Sequence, residues 1–576
     1  MSWLSRTLSV YLAIGLGQGL LFWWILGLES PGLSAAVATV ALVGGINLQL
    51  LGGGLRSRGA VLLAAGLALG MASISAWVFW PPELSEKGAP SSDWLKVSWG
   101  VGSVVLAYIA TAFILSWPTR EKHRLRYEDL FRHAWNNVFI LLLAALLTGV
   151  FWLLLMLWGS LFRMLGIEQF AQWFSAPGFV CLSTALVFSL GVRMGRDNER
   201  VIGLLRGILL TLCRFLLPLS ALIAVLFSLA LPFTGLSPIW STGFSTPILI
   251  GLVGINLFLL NGVFQDGRQG DAYPSGLRRL VELCLLCLPV LMALAGYSTY
   301  LRIEQHGLSP SRFLAALLVL VGTLHSLAAL WAVVRRQPLW LGSLCASNPL
   351  IALLLCVLLV GVHSPWLSPL EFSARNQVQR LLSGRTAAED FDAEYLRYSL
   401  GAPGLRQFEA LQGLLEQGRV LEAPARERLQ ALMREASHGG ADSLGEAVEP
   451  PGPKLEWLGT PEEGHEQFVA LASDSFRCQN PGCLLWAVDL DLAPDGRKEV
   501  LQLSKEEWPT AIFFFTRSDA GEWRQAGTLE GTVSTPELIR QIRAGAAWLV
   551  RQRYQSLQAE GVLLVPLPRE PEAARD

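Results

Sequence analysis

Long apolar blocks follow one another from the N-terminus to about Pro369 and then stop. Eleven have membrane length: Leu8–Leu28, Leu33–Leu51, Gly59–Phe79, Val97–Trp117, Val138–Phe162, Ala176–Val192, Ile208–Leu231, Ser245–Phe264, Leu280–Tyr300, Ser311–Val334 and Ser347–Trp366. About 20 mostly apolar residues cross a hydrocarbon core of about 30 Å as a helix. The blocks are continuous runs and lack the alternation of a barrel strand, so helix is the spanning form that satisfies their backbone groups. The pattern predicts a mainly α membrane protein of about eleven transmembrane helices. The first block is longer than a signal-peptide core and has no small-residue cleavage site after it, so it reads as a retained first span.

After Glu371 the periodicity changes. Ser373–Leu415 reads as helix with a break at Gly401–Gly404, Ala425–Glu435 as a further helix, and Ser437–Pro453 as a Gly, Pro and acidic linker. Strand-like runs follow at Leu484–Val488, Glu499–Leu503, Ala511–Thr516 and Trp523–Leu529, and Thr535–Leu557 closes as a helix begun by Thr535 and Pro536. The expected organisation is a transmembrane domain over 1–369, a helical juxtamembrane segment and linker over 370–450, and a small soluble α+β domain over 451–576.

Charge adds an orientation. Only 16% of residues are charged, against about 25% in soluble chains, and the net charge of -1 gives no basic field for nucleic acid. If the N-terminus is cytoplasmic, 17 Lys and Arg residues fall in cytoplasmic segments, Arg120, Lys122, Arg124, Arg126 and Arg132 being the densest group. The opposite loops hold 5, namely Lys87, Lys96, Arg163, Arg302 and Arg312. The positive-inside rule then places the N-terminus in the cytoplasm and, after an odd number of spans, the C-terminal domain outside it, in the periplasm of a Gram-negative cell. Tyr127, Leu130, Phe131, Ala134 and Trp135 recur at helical spacing ahead of span five and predict an amphipathic helix lying on the inner leaflet.

Polar residues at membrane depth are candidates for function. Arg214 and Glu282 sit near the cytoplasmic ends of spans seven and nine, where snorkelling serves them. His325 lies near the middle of span ten and His363 near the outer end of span eleven. Asn47, Gln49, Asn256 and Asn261 place amides in spans two and eight, where interhelical bonding competes with a solute path that Asn47, Asn256 and His325 would line. Gly15, Gly17 and Gly19 allow close helix approach. Cys284 and Cys287 read as small hydrophobes.

In the soluble domain, Cys478 and Cys483 flank a Pro-Gly turn and are expected to form a disulfide outside the cytoplasm. Asp489, Asp491, Asp495 and Glu499 resemble an acidic Ca²⁺ loop with two extra residues, for which a metal-free hairpin turn is the better reading. No P-loop, nucleophile elbow, zinc-protease or dinucleotide fingerprint occurs, so no cofactor and no catalytic residue is expected.

Two short matches suggest a parallel duplication of spans one to five in spans seven to eleven. GINLQLL at Gly45–Leu51 recurs as GINLFLL at Gly254–Leu260, and the apolar run after Asn137 resembles that after Asn348. Tyr127–Phe162 (YEDLFRHAWNNVFILLLAALLTGVFWLLLMLWGSLF), Ser373–Gly384 (SARNQVQRLLSG), Phe391–Gly404 (FDAEYLRYSLGAPG) and Cys483–Leu503 (CLLWAVDLDLAPDGRKEVLQL) together resemble a bacterial inner-membrane family, the domain-of-unknown-function family four-one-five-three. The resemblance implies a multi-span inner-membrane protein and supplies no activity. Two functions remain open: a transporter or channel-like protein acting on a small solute, and an envelope sensor or scaffold whose periplasmic domain binds a protein partner. The lipid bilayer is the partner both share. The orientation has a direct check. A reporter enzyme active only in the cytoplasm, fused after Leu370, is expected to be silent, and activity there reverses the assignment.

Overall fold

A computed structural model of the chain describes residues 2–52, 57–80, 93–117, 125–235, 245–265, 267, 273–335, 337–417, 422–441, 455–458, 483–490, 498–504, 511–517, 523–530, 535–544, 557–559 and 562–564. Among the described residues, 11 helices are long and apolar enough to cross a membrane. In chain order, spans one to six are Ser2–Ile25, Pro31–Leu51, Arg58–Phe79, Asp93–Leu115, Tyr127–Met164 and Pro177–Asp197. Spans seven to eleven are Glu199–Thr234, Ser245–Phe264, Ser275–His306, Pro310–Val334 and Leu344–Val362. The chain is therefore a multi-pass membrane protein. Several starts carry the residues that helix entry favours: Ser30 caps Leu33 ahead of Pro31, and Ser309 caps Arg312 ahead of Pro310. Span two changes winding midway, with a π-helical turn at Val40–Gly44 ahead of GINLQLL.

Small residues set the helix contacts of the first half. A Cβ on Gly15 would lie 2.9 Å from the Ser189 side chain, and one on Gly19 would lie 2.8 Å from the Leu182 backbone. These two glycines, one turn apart, bring span one against span six. Gly191 does the same for spans five and six, with the Ala144 backbone 2.7 Å from its would-be Cβ. Gly17, on the other side of span one, meets nothing within 4 Å. The second half mixes large and small side chains. Leu217 and Ala221 of span seven, Leu249 and Leu260 of span eight, Leu288 and Met292 of span nine and Ala329 of span ten form one buried core.

The helix of span five runs unbroken over 38 residues from Tyr127 to Met164. The separate interfacial helix expected there is its first turns. No Gly or Pro separates Tyr127 from Val138, so nothing ends the helix before the membrane. Its far end meets a short helix, Gln169–Ser175, where the rings of Trp158, Phe162, Phe170 and Phe174 pack tilted and edge-on against one another.

Beyond span eleven, helices Pro369–Leu382, Gly401–Glu416 and Ala423–Ala441 follow, with a π-helical turn at Tyr395–Ser399. Gly401 has φ +60, and the chain turns there as the glycine pair leads one to expect. Leu370, Val378, Leu381, Phe408, Leu411 and Met433 share one apolar core with Met71 and Val78 of span three and Leu95, Trp99 and Leu106 of span four. Arg380, buried, donates to the Glu304 carbonyl at 2.8 Å and the Gln305 carbonyl at 3.2 Å, closing the turn between spans nine and ten. The compact unit accordingly runs from Met1 to Ser437, and a second begins at His438.

The second unit holds a five-stranded sheet: β1 Leu455–Leu458, β2 Cys483–Val488, β3 Glu499–Ser504, β4 Ala511–Arg517 and β5 Trp523–Glu530, hydrogen-bonded in that order. β1 is parallel to β2 and the remaining pairs are antiparallel. Strand alternation gives two apolar faces. Leu484, Leu501, Leu503 and Ile512 pack with Ile539 and Ile542 of helix Thr535–Arg543, while Leu485, Val500, Phe515 and Trp523 cluster on the other face. That helix does not reach Leu557 as expected; Leu557–Ala559 pairs with Val562–Leu564 as a strand ladder.

The glycine contacts yield a paired prediction. Gly19→Leu, forced against the Leu182 backbone, is expected to destabilise the detergent-solubilised protein by about 1–3 kcal/mol. Gly17→Leu is expected to stay within about 0.5 kcal/mol of wild type. Equal thermal unfolding of the two variants would contradict the packing.

Candidate functional site

A polar side chain inside a span always has one acceptor within reach, the carbonyl one turn back on its own helix. Asn47 donates to the Val43 carbonyl, Asn256 to that of Leu252 and Asn261 to that of Leu257, each at 2.9 Å. His325 Nδ1 lies 3.0 Å from the Val321 carbonyl and His363 Nδ1 lies 2.8 Å from that of Leu359. The second partner decides whether the group ties helices together or faces open space.

For most of these groups the second partner is protein. Asn256 Oδ1 accepts from Cys284 Sγ at 3.4 Å, joining spans eight and nine; Cys284 and Cys287 are both free thiols. Gln49 Nε2 donates to Gln18 Oε1 at 2.6 Å, and Gln18 Nε2 to the Ala41 carbonyl at 2.8 Å, joining spans one and two. His363 Nε2 lies 2.9 Å from Ser98 Oγ beside the Trp99 ring, and Trp99 Nε1 donates to Ser75 Oγ at 2.8 Å. Ser75 in turn meets Thr39 at 2.7 Å, so a polar chain crosses spans two, three, four and eleven. The Oδ1 of Asn47 is buried with no partner among the described residues.

Arg214 and Glu282 sit where spans seven and nine approach the end of the bundle at which span one begins. The Arg214 carbonyl accepts from Tyr273 Oη at 2.7 Å, and its guanidinium lies 6.0 Å from the Tyr273 ring. Burial pushes the Tyr273 phenol up to about 12, against the lowering effect of Arg214. Glu282 pairs with Arg278 at 3.0 Å and accepts from Trp340 Nε1 at 3.0 Å. Both ionic groups are thus engaged at the bundle end.

His325 is different. It lines a cavity of about 210 Å³ where spans four, five, eight, ten and eleven meet, together with Asn261, Asn348, Tyr127, Phe131 and Trp135. Asn348 Nδ2 donates to Asn261 Oδ1 at 2.7 Å and to Tyr127 Oη at 3.1 Å. With Nδ1–H directed at the Val321 carbonyl, His325 is left with Nε2 as an acceptor on the cavity. The structure therefore groups His325 with Asn261 and Asn348. Asn47 and Asn256 do not line this cavity, and each is bonded within its own helix. Asn348 and Tyr127 were not singled out as intramembrane polar sites in the sequence. Tyr127 read there as part of a surface helix, and only the continuity of span five brings it inside.

A second crevice lies at the end of the bundle at which span one begins, lined by Arg132, His133, Asn136, Asn137, Arg196 and Glu199. Arg196 Nη1 donates to the Gln49 carbonyl at 3.2 Å and to Tyr11 Oη at 3.4 Å. Tyr11 and Arg196 were also missed, one buried among apolar residues and the other counted only as a loop charge.

In the sheet unit, Cys478, Asp491 and Asp495 lie outside the described residues. Cys483 opens β2 fully buried, and Glu499, also buried, accepts from the Leu490 N–H at 2.7 Å. Among the described residues no group of three or more His, Cys, Asp and Glu is placed to hold a metal ion.

The proposed duplication has mixed correlates. Asn47 and Asn256 make the same one-turn bond, and adjacent spans pack in sequence in both halves. Span one also packs on span six, however, whereas span seven packs on both spans eight and nine. Neither the curated proteins nor the solved structures contain a match to the chain. A family model described as a domain of unknown function (DUF4153) matches residues 33–411, from the start of span two through span eleven and helix Pro369–Leu382 into helix Gly401–Glu416, and ends before helix Ala423–Ala441 and the sheet unit. That match covers the greater part of the chain, and the chain belongs to the DUF4153 family.

Proposed function

We propose that the protein is a transporter or channel-like protein that binds a small solute in the cavity at His325. The observation that carries this reading is the open space itself. It lies among five spans and is edged by an imidazole acceptor and by two amides bonded to each other. The groups presented are acceptors beside the aromatic faces of Phe131 and Trp135, which suits a small neutral or cationic solute carrying N–H or O–H donors. The Arg-rich loops support a cytoplasmic N-terminus and a periplasmic sheet unit in the inner membrane. A Cys478–Cys483 disulfide belongs to the same reading. Six other cysteines are free, and Cys483 is not among them.

A second reading, an envelope sensor or scaffold, is favoured by one observation. The helices after span eleven share a core with spans three and four, so a protein bound to them would pull directly on the bundle.

Labelling separates the two. Ala352 lines the cavity, and Ala352→Cys is expected to react with a membrane-impermeant maleimide far faster than the native Cys284, which is 1% exposed. A variant as unreactive as Cys284 removes the solute site and leaves the scaffold reading. Asn348→Leu, which deprives Asn261 Oδ1 of its donor, is expected to cost about 0.6–2 kcal/mol in thermal unfolding. It should also abolish protection by any small polar solute that raises the wild-type melting temperature.

A further inference from the structure

The crevice at Asn137 plays no part in the solute reading, and its chemistry is opposite to that of the His325 cavity. It encloses about 160 Å³ between spans two, four, five, six and seven. Asn137 is 5% exposed and lines it, and among the described residues its amide has no hydrogen-bond partner. The contrast with its neighbours is sharp. Asn136 accepts from Arg206 at 2.8 Å, and Asn348, the counterpart of Asn137 in the repeat, donates to two side chains. An amide that lines a crevice and has no protein partner is open to a ligand that bonds it.

The charge around it is fixed in place. Arg196 is anchored through Nη1 to Tyr11 and the Gln49 carbonyl, and its other N–H groups have no partner among the described residues. Its guanidinium lies over Gly52, which has φ +46 and stands where any Cβ would strike Arg196. Glycine is thus required both by the backbone and by the cation. Arg132, paired with Asp129 at 2.9 Å, adds a second guanidinium. The helix of span seven starts at the same place, with Asn198 making no side-chain cap. Its first N–H groups therefore open beside the last turn of span six, which ends at Asp197. A cation would meet two guanidiniums here, whereas a phosphate meets donors.

Two further features narrow the ligand. Leu50, Leu115, Ile140 and Ile202 form an apolar wall beneath the polar rim, so the crevice is amphipathic at the level where a bundle leaves the membrane. Glu199, exposed on the rim, disfavours a second negative charge beyond the phosphate and suits an ammonium. We propose that this crevice is a phosphate-binding site that takes the head group of a zwitterionic phospholipid, with Arg196, Asn137 and the start of span seven on the phosphate and Glu199 on the amine.

The full chain, purified in detergent and washed to remove bulk lipid, tests this by native mass spectrometry. The wild type is expected to retain a phosphatidylethanolamine. Asn137→Leu, matched in size, and Arg132→Gln, on the surface, are each expected to retain roughly tenfold less at an unchanged melting temperature. A second measurement uses inorganic phosphate alone. If no lipid is retained but 10 mM phosphate raises the melting temperature of the wild type and not of Asn137→Leu, the phosphate site stands and its source is a free anion. If neither probe binds the wild type, or if both bind wild type and Asn137→Leu alike, the proposal is overturned. The wild-type measurements decide it even where a variant fails to fold.

Discussion

Water is absent from the hydrocarbon layer, and every polar group placed there must find its partner inside the protein. The backbone meets this by being helical, which is why eleven apolar runs give eleven helices. Side chains meet it first on their own helix, as Asn47, Asn256, Asn261, His325 and His363 all do with the carbonyl one turn back. That bond leaves half of each side chain unsatisfied. Where a neighbouring helix supplies the rest, as Cys284 does for Asn256 and Ser98 for His363, the group becomes a fastener. At Asn47 the second half stays buried without a partner among the described residues, and at His325 it faces a cavity.

The two cavities are complementary in chemistry. One presents acceptors and aromatic faces between spans four, five, eight, ten and eleven; the other presents guanidiniums and amide donors around spans five, six and seven. Span five contributes to both, Tyr127 and Phe131 to the first and Arg132 and Asn137 to the second. Neighbouring residues on one helix thus serve two surfaces, because successive positions point to different faces.

The spans were legible because hydropathy needs only a local window, and the strands because alternation does too. β2 to β5 lie within a residue or two of the apolar runs that announced them. What was not legible is long-range. Tyr127 reaches Asn348 across 221 positions and Arg196 reaches Tyr11 across 185, and no local pattern in either partner marks the other. Gly15, Gly17 and Gly19 look equivalent in sequence, yet helical rotation puts two against span six and one away from it. Arg196 was hidden for another reason. Counted as a loop charge, it spoke only for orientation, whereas its bond to a span-two carbonyl makes it part of the bundle. The proposed path joining Asn47, Asn256 and His325 treated polarity as the signal for a cavity. Polarity marks only a need for a partner, and Asn256 has one.

The core shared by spans three and four with the helices after span eleven also has a timetable. Ser98 and Trp99 are synthesised early, whereas His363, which lies against both, comes 265 residues after Ser98. At about 5–20 residues per second, translation leaves that face of span four without its final neighbour for tens of seconds. Until then, Ser98 and the apolar flank of Trp99 lie against lipid or against whatever escorts newly inserted helices. The order of manufacture thus runs opposite to the order of burial. The residue that seals the early spans follows the last of the eleven spans, so a ribosome that stops near span ten leaves a bundle that is inserted but not closed.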